Sequence, residues 1–305
     1  MHVFAIIVNW NGGEENLACL DSLAAEGIAS ERIVFVDNGS KDGSLELVRE
    51  RFPNLLYVLH SENEGFGEGS NAGARAALEA GADALFFVNN DVVLERGCLE
   101  LLQRELASGA GMTGPRVRFK GEPPRIWAAG GALTWRQNIS TLIGNGEADS
   151  AEFAKVREVD YVPGCALLIT SELFEACEGF DASYFAYMED VDLGVRARAL
   201  GARTTLCGPA LVRHGGSSAT GGGYSARRKY MNGVNSVHFL RRHGDFGKWL
   251  RFGLFDVLTL LPLFLIELLR GNSRAVLAKG LGIAHGLLGR RVSRELLEPG
   301  ASRLW

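Results

Sequence analysis

The chain has no CxxC pair, no uninterrupted apolar run long enough to span a bilayer, and no basic stripe in its first 240 residues. Each absence removes a class of protein. The five cysteines, Cys19, Cys98, Cys165, Cys177 and Cys207, are scattered and odd in number. They read as reduced thiols in the cytosol, with neither a disulfide framework nor a zinc site. The N-terminal apolar run, Val3 to Val8, stops at Asn9 and is too short for the core of a signal peptide. In the most apolar segment, 249–270, the longest uncharged run, Val257 to Ile266, contains Pro262 and falls short of the roughly twenty apolar residues of a spanning helix. A body without basic residues interleaved with aromatics argues against nucleic acid as a partner. The sequon Asn138-Ile139-Ser140 is a match common by chance and carries no weight in a cytosolic chain.

What is present is a core. With 305 residues, 47% of them hydrophobic, the chain can bury one large domain, or one domain with an appendage. Its charge is uneven. Residues 241–305 hold eleven Lys/Arg against five Asp/Glu, while residues 1–240 hold 21 against 31. An acidic body with a basic, apolar tail points to an anionic surface near the tail, and a membrane is the obvious one.

The first half alternates. Continuous apolar runs at 3–8, 32–37, 55–59 and 84–88 read as buried strands. Helical patterns fall at 14–26, with Leu17, Leu20, Leu23 and Ala24 on one face, at 42–52 with Ser40 or Asp42 as cap, at 70–80 and near 95–108. Such alternation predicts an α/β fold with a mostly parallel sheet covered on both faces, and ligands bind beyond the carboxyl ends of its strands. Polar clusters follow all four strands: Asn9-Trp10-Asn11-Gly12-Gly13, Asp37-Asn38-Gly39-Ser40, the stretch from Asn63 to Asn71, and Asn89-Asn90-Asp91. Each alone is ordinary turn chemistry; together they line one edge of the sheet. Residues 119–160 break the rhythm and read as an insertion over that edge. A strand returns at 161–170, a helix opens at Glu189, and 225–243 is helical. The segment 249–270 reads as an interfacial helix or a helical hairpin. Its flanking cations, Arg241, Arg242, Lys248, Arg251, Arg270 and Arg274, suit anionic headgroups, and the alternative is packing on the body or on a second copy of the chain in a homodimer.

Three places carry chemistry. Asp91, a lone carboxylate at a strand end, is placed to hold Mg2+ or Mn2+ against phosphates; the alternative is a helix cap. Glu189, Asp190 and Asp192 crowd three acids into a first helical turn, where the helix dipole favours them. Asp192 pairs with Arg196 at i,i+4, which leaves Asp190 or Glu189 as general base. His214 precedes Gly215-Gly216-Ser217-Ser218 and could swing onto a metal-bound diphosphate, though a lone His is more often simply a satisfied polar residue. The run Gly67-x-Gly69-x-x-Ala72 fits a dinucleotide fingerprint, but it follows the third strand where the fingerprint belongs to the first, and the first turn carries Glu14 and Glu15.

Taken in order, Val8-Asn9-Trp10-Asn11, Val36-Asp37-Asn38-Gly39-Ser40, Asn63-x-Gly65-Phe66 with Asn71, Asn89-Asn90-Asp91, Gly179-Phe180-Asp181, Glu189-Asp190-x-Asp192-Leu193 and His214 resemble the inverting family 2 glycosyltransferases of GT-A fold, the rhamnosyltransferase-type members above all. The resemblance covers roughly residues 1–240. It implies a nucleotide-diphospho-sugar transferase fold over 1–224, with a nucleotide-binding half to about 118 and an acceptor half over 119–224, followed by a helical, basic and apolar region at 225–305. It implies that Asn9 and Asn11 line the nucleotide pocket, that Asp37 bonds the base beside Asn38, and that Asn63, Gly65, Asn71 and Asn90 border nucleotide and phosphates. Asp91 would then be the metal carboxylate in place of the family's DxD motif, His214 a second ligand, and Asp190 the base, with Glu189 the alternative. The implied partners are a dTDP- or UDP-sugar donor and a glycan or lipid-linked acceptor at the cytoplasmic face of the inner membrane. A nucleotidyltransferase, a non-catalytic nucleotide-sugar binder and, more distantly, an NAD enzyme are the competing readings.

Overall fold

A computed structural model describes residues 1–136, 138–215, 225–298 and 300–305. Four strand–helix units open the chain. Strand β1 (Val3–Asn9) leads to helix α1 (Glu15–Ala25), β2 (Ile33–Asn38) to α2 (Ser44–Arg51) and β3 (Leu56–His60) to α3 (Gly65–Glu79). Strand β4 (Ala84–Asn89), followed by the short β5 (Val92–Leu94), leads to α4 (Cys98–Ala107). Then come β6 (Met112–Phe119), β7 (Ile126–Ala128), β8 (Gly131–Leu133), β9 (Ser140–Leu142), β10 (Val156–Glu158), β11 (Ala166–Thr170), α5 (Ser171–Ala176), α6 (Glu189–Ala199) and β12 (Thr204–His214). Helices α7 (Ala226–His243), α8 (Phe246–Phe252), α9 (Leu260–Leu269), α10 (Ser273–Leu287) and α11 (Arg294–Leu297) complete the chain.

The main sheet runs β10-β12-β6-β11-β4-β1-β2-β3, with β5 added on β12 and β7 on β6. Strands β3, β2, β1 and β4 are parallel, while β11 lies antiparallel to β4 and β6. The inner strands are buried on both faces, as their unbroken apolar runs require: Ile6, Ile7, Val36, Phe86 and Phe87 are each 1% exposed or less. Each such side chain contributes ~1.5–3 kcal/mol. Strand β3 differs from expectation. It is the edge of the sheet and only half-buried. In α1 the buried face is Asn16, Cys19, Leu20, Ser22 and Leu23, and Ala24 is exposed. No side chain caps α2, whose N-cap is Gly43; Asp42 bonds the Ser44 N–H one position later.

Helix α3 begins at Gly65, five residues before the apolar pattern suggests. The glycines explain it. A Cβ on Gly65 would sit 2.4 Å from the Phe185 carbonyl oxygen, on Gly69 2.9 Å from Val8, and on Gly73 2.5 Å from Ile6. Spaced four apart, they share one face of the helix, and that face lies directly on the sheet and on the loop before α6. The Gly67-x-Gly69 fingerprint is therefore part of a packing surface. Each glycine costs about 1 kcal/mol of helix propensity, which the close approach offsets.

The segment 249–270 is not a hairpin. Helix α8, a π-turn at Gly253–Val257 and α9 form one helical rod, Phe246–Leu269, with an 18-residue stretch of mean hydropathy 2.1, long and apolar enough by length and composition to cross a membrane. Pro262 breaks nothing because it falls in the first turn of α9, after the π-turn has shifted the hydrogen-bond register. The rod is mostly uncovered: Leu258, Leu261 and Leu269 are 66%, 69% and 90% exposed. Asp256 inside it is wholly buried, paired at 2.5 Å with Lys279 of α10. It also accepts from the Asn138 N–H, while Lys279 donates to the Asn138 side chain.

Candidate active site

The four strand ends do converge on one cleft of about 1120 Å³. Trp10, Asn11, Asn38, Asn63, Gly65 and Asn90 line it, as do Asp91, Glu189, Asp190 and His214. Asn9, Asp37 and Asn71, all expected at the nucleotide, do not. Asn9 is fully buried. Its amide donates to Asp37, Ser40 and Ser44, and its carbonyl accepts from Gly12, Asn16 and Asn90. It ties three strand ends together from behind the wall. Asp37 accepts from Asn9 and from the Ser40 N–H. Asn71 donates to the Phe180 carbonyl and accepts from the Phe180 N–H, so it fixes the Gly179-Phe180-Asp181 turn. Gly12 has no room for a side chain, since a Cβ would lie 2.0 Å from the Asn90 amide nitrogen. Asn38 does face the cleft and fastens β2 to the start of α3 through Asn63 and the Gly65 carbonyl.

Asp91 precedes strand β5, not a helix, so the capping role falls away. Its partner is His214, brought alongside because β12 pairs with β5. The His214 Nε2 lies 3.1 Å from Asp91 Oδ1, with both side chains buried. Neither ring nitrogen of His214 has a well-aligned hydrogen-bond partner among the described residues. No swinging arm is needed; residues 216–218 of the proposed arm lie outside the described residues. Burial pushes the Asp91 carboxyl up, but His214 and Lys120 outweigh it and hold it below the usual carboxylate range. A buried anionic carboxylate beside an imidazole with orphaned nitrogens fits a divalent cation. Among the described residues no cluster of three or more His, Cys, Asp or Glu completes a metal cage.

Glu189 and Asp190 line the same cleft. Asp190 accepts from the Gly164 and Val191 N–H groups. The next residue, Cys165, accepts from the Asn89 N–H through its carbonyl. One peptide segment thus sets the distance between the Asp91 turn and Asp190. Burial raises the Asp190 carboxyl, with those N–H bonds opposing it. Burial and then the Asp190 charge raise Glu189, whose Oε2 has no hydrogen-bond partner among the described residues. Asp192 is structural: it pairs with Arg196 and His243 and is fully buried.

These geometric features meet an independent line of likeness. The sequence profile described as Glycosyl transferase family 2 matches residues 4–167. The chain belongs to glycosyl transferase family 2. It is a glycosyltransferase of the nucleotide-sugar-dependent kind. It is 28% identical over 225 residues to the N-acetylglucosaminyl-diphospho-decaprenol L-rhamnosyltransferase of Mycobacterium tuberculosis, covering 65% of this chain and 72% of that one. It is 25% identical over 195 residues to the low-salt glycan biosynthesis hexosyltransferase Agl10 of Haloferax volcanii, covering 63% and 60%. Among solved structures it is similar in fold to GalNAc-T7 with UDP, GalNAc and Mn2+ (TM-score 0.64, 16% identity, 83% of this chain and 50% of that one). The mannosyltransferase PcManGT of Pyrobaculum calidifontis, with GDP-Man and Mn2+, is also similar (TM-score 0.56, 13% identity, 95% and 88%). The fold is thus the GT-A type that the motif order implies, with a helical C-terminal part.

In this glycosyltransferase one functional residue gave no sequence signal. Asn235 of α7, 1% exposed, donates its amide to the carbonyls of Tyr184, Ala186 and Tyr187 at 3.0, 2.9 and 2.8 Å. That loop carries three non-glycine residues at positive φ, Phe185, Tyr187 and Met188, immediately before Glu189. A lone Asn on an amphipathic helix reads as surface; only its long-range partners reveal it.

Proposed function

We propose that this glycosyltransferase inverts the anomeric carbon of its donor, passing rhamnose or a hexose from a dTDP- or UDP-sugar to a hydroxyl of a lipid-linked glycan. The observation that carries the reading is a single cleft lined by Asp91, His214 and Asp190, with Asp190 and Asn89 bonded to the adjacent residues Gly164 and Cys165. Asp91 and His214 would hold Mg2+ or Mn2+, which when bound neutralises charge on the leaving diphosphate. Trp10, Asn11, Asn38 and Asn63 surround the nucleoside end, with Asn9 and Asp37 bracing them. Asp190 takes the proton of the acceptor hydroxyl as its oxygen bonds the anomeric carbon and the bond to the diphosphate oxygen breaks. The backbone N–H groups on Asp190 keep it the more acidic of the pair. Glu189, protonated, leaves one negative charge at the attacking face.

The catalytic unit we assign is 1–224 together with α7, whose first turn lines the cleft, and the helices after α7 carry the enzyme to the cytoplasmic face of a membrane. The exposed apolar rod supports this partner: its one central acid, Asp256, is turned inward and neutralised by Lys279, and Arg251 and Arg270 flank it. A bilayer accepts such a face; a second copy of the chain would show instead as a dimer without lipid.

Thermal-shift screening of dTDP- and UDP-sugars with Mn2+ should single out one donor, and transfer should vanish on chelation and return with Mn2+. Asp190→Asn should keep that donor stabilisation and lose transfer by about 100-fold or more. Transfer at the wild-type rate in Asp190→Asn would remove the mechanism, and stabilisation by a donor without any transfer would favour a non-catalytic binder.

A further inference from the structure

The first turn of α7 carries Arg227, Arg228 and Lys229 in succession and no acidic residue. The positive end of a helix dipole disfavours cations, and these three are half-buried where a polar helix end could have turned them out to solvent. All three line the catalytic cleft. The Arg228 guanidinium lies 5.3 Å over the Tyr187 ring, beside the loop that precedes Glu189 and Asp190. Burial, with Lys279 and Arg228 close by, drives the Lys229 ammonium down to about 8. Asp91 and its neighbours His214 and Lys120 come from other elements, so the cleft holds two sites of anion chemistry, one beside β5 and one at α7. The helices that follow α7 carry the uncovered apolar rod.

We propose that the α7 turn, Arg227, Arg228 and Lys229, is a subsite for the diphosphate of a polyprenyl-diphosphate-linked acceptor. This rests on the glycosyltransfer reading above and deepens it. The cations grip the acceptor's diphosphate, the attached sugar reaches Asp190, and the prenyl chain leaves along the apolar helices toward the bilayer. Arginine suits the task because its planar donors match phosphate oxygens in pairs.

The test uses the full chain and farnesyl diphosphate as probe, titrated calorimetrically into protein saturated with Mn2+ and whichever of UDP or dTDP it binds. Farnesyl diphosphate should bind with the nucleotide in place, and farnesol should bind far more weakly. Arg227→Gln and Arg228→Gln should each weaken farnesyl diphosphate by about ten- to hundredfold and leave nucleotide affinity alone, and Arg227→Lys should recover part of the loss. Competition between nucleotide and farnesyl diphosphate, or a loss of nucleotide affinity in the Gln variants, would assign the cations to the donor's diphosphate and overturn the proposal. Unchanged farnesyl diphosphate affinity in both Gln variants would overturn it too. Failure of UDP and dTDP alike to bind the wild-type chain would instead defeat the glycosyltransfer reading itself.

Discussion

Replacing Asn235 with Ala isolates the connection between the C-terminal helices and catalysis. The two amide hydrogens of Asn235 serve three carbonyls at 2.8 to 3.0 Å, so at least one is shared. Each net bond is worth ~0.5–1.5 kcal/mol, and each buried carbonyl left bare costs ~1–3 kcal/mol. With two carbonyls left bare the expected destabilisation is about 2–6 kcal/mol, against the ~5–15 kcal/mol of a typical folded domain. The variant should therefore fold. Activity should fall further than stability. The positive-φ residues Phe185, Tyr187 and Met188 store strain of about 1–3 kcal/mol apiece, and without the clamp the loop relaxes and carries Glu189 and Asp190 with it. Urea unfolding gives the first quantity as a shifted midpoint at unchanged slope, and initial rates of nucleoside-diphosphate release give the second. A destabilisation under about 1 kcal/mol together with wild-type kcat/KM would refute the argument that Asn235 holds the loop.

Three further outcomes follow from the same geometry. Asp91→Asn should weaken nucleotide binding in Mn2+ by at least about tenfold, the value of one charged contact, and calorimetry with and without Mn2+ should find the two affinities nearly equal in the variant. Glu189 carries a raised carboxyl, so the folded state keeps a proton that the unfolded chain releases; the stability this gives is complete below the ordinary Glu range and is lost as pH rises through the raised value. The Tm of wild type should accordingly drop between about pH 5 and about pH 9 more than that of Glu189→Gln, and parallel curves would contradict the assigned burial. Lys279→Met should cost ~3–5 kcal/mol because it strands the buried Asp256, while Asp256→Leu with Lys279→Met together should recover much of that loss in chemical denaturation.

Much of the site was legible because strand ends are local events. An apolar run that stops at Asn or Asp announces both the strand and the polar edge, and Asn11, Asn38, Asn63, Gly65, Asn90, Asp91, Glu189, Asp190 and His214 all reach the cleft. What was illegible depended on direction. Asn9 and Asn90 are alike in sequence, yet Asn9 points into the protein between β2 and α1 while Asn90 borders the cleft. The start of α3 was hidden because glycine-rich segments read as loops, whereas here each glycine gives room to a side chain or carbonyl of another element. The continuity of the rod at 246–269 was hidden because Pro262 reads as a break, whereas it falls in the first turn of α9, after the π-turn.

From composition and periodicity alone came the alternating architecture, the polar edge of the sheet, the candidate acids and the apolar, basic tail, because burial patterns repeat over a few residues and report the face each segment must hide. Tertiary structure alone decided which polar side chains reach the cleft and which brace the wall, that His214 already stands at Asp91, and that α7 clamps the loop before Glu189 and Asp190. Those outcomes rest on hydrogen bonds and charge pairs between residues tens to more than a hundred positions apart, and only the packed chain brings them within 3 Å or so of one another.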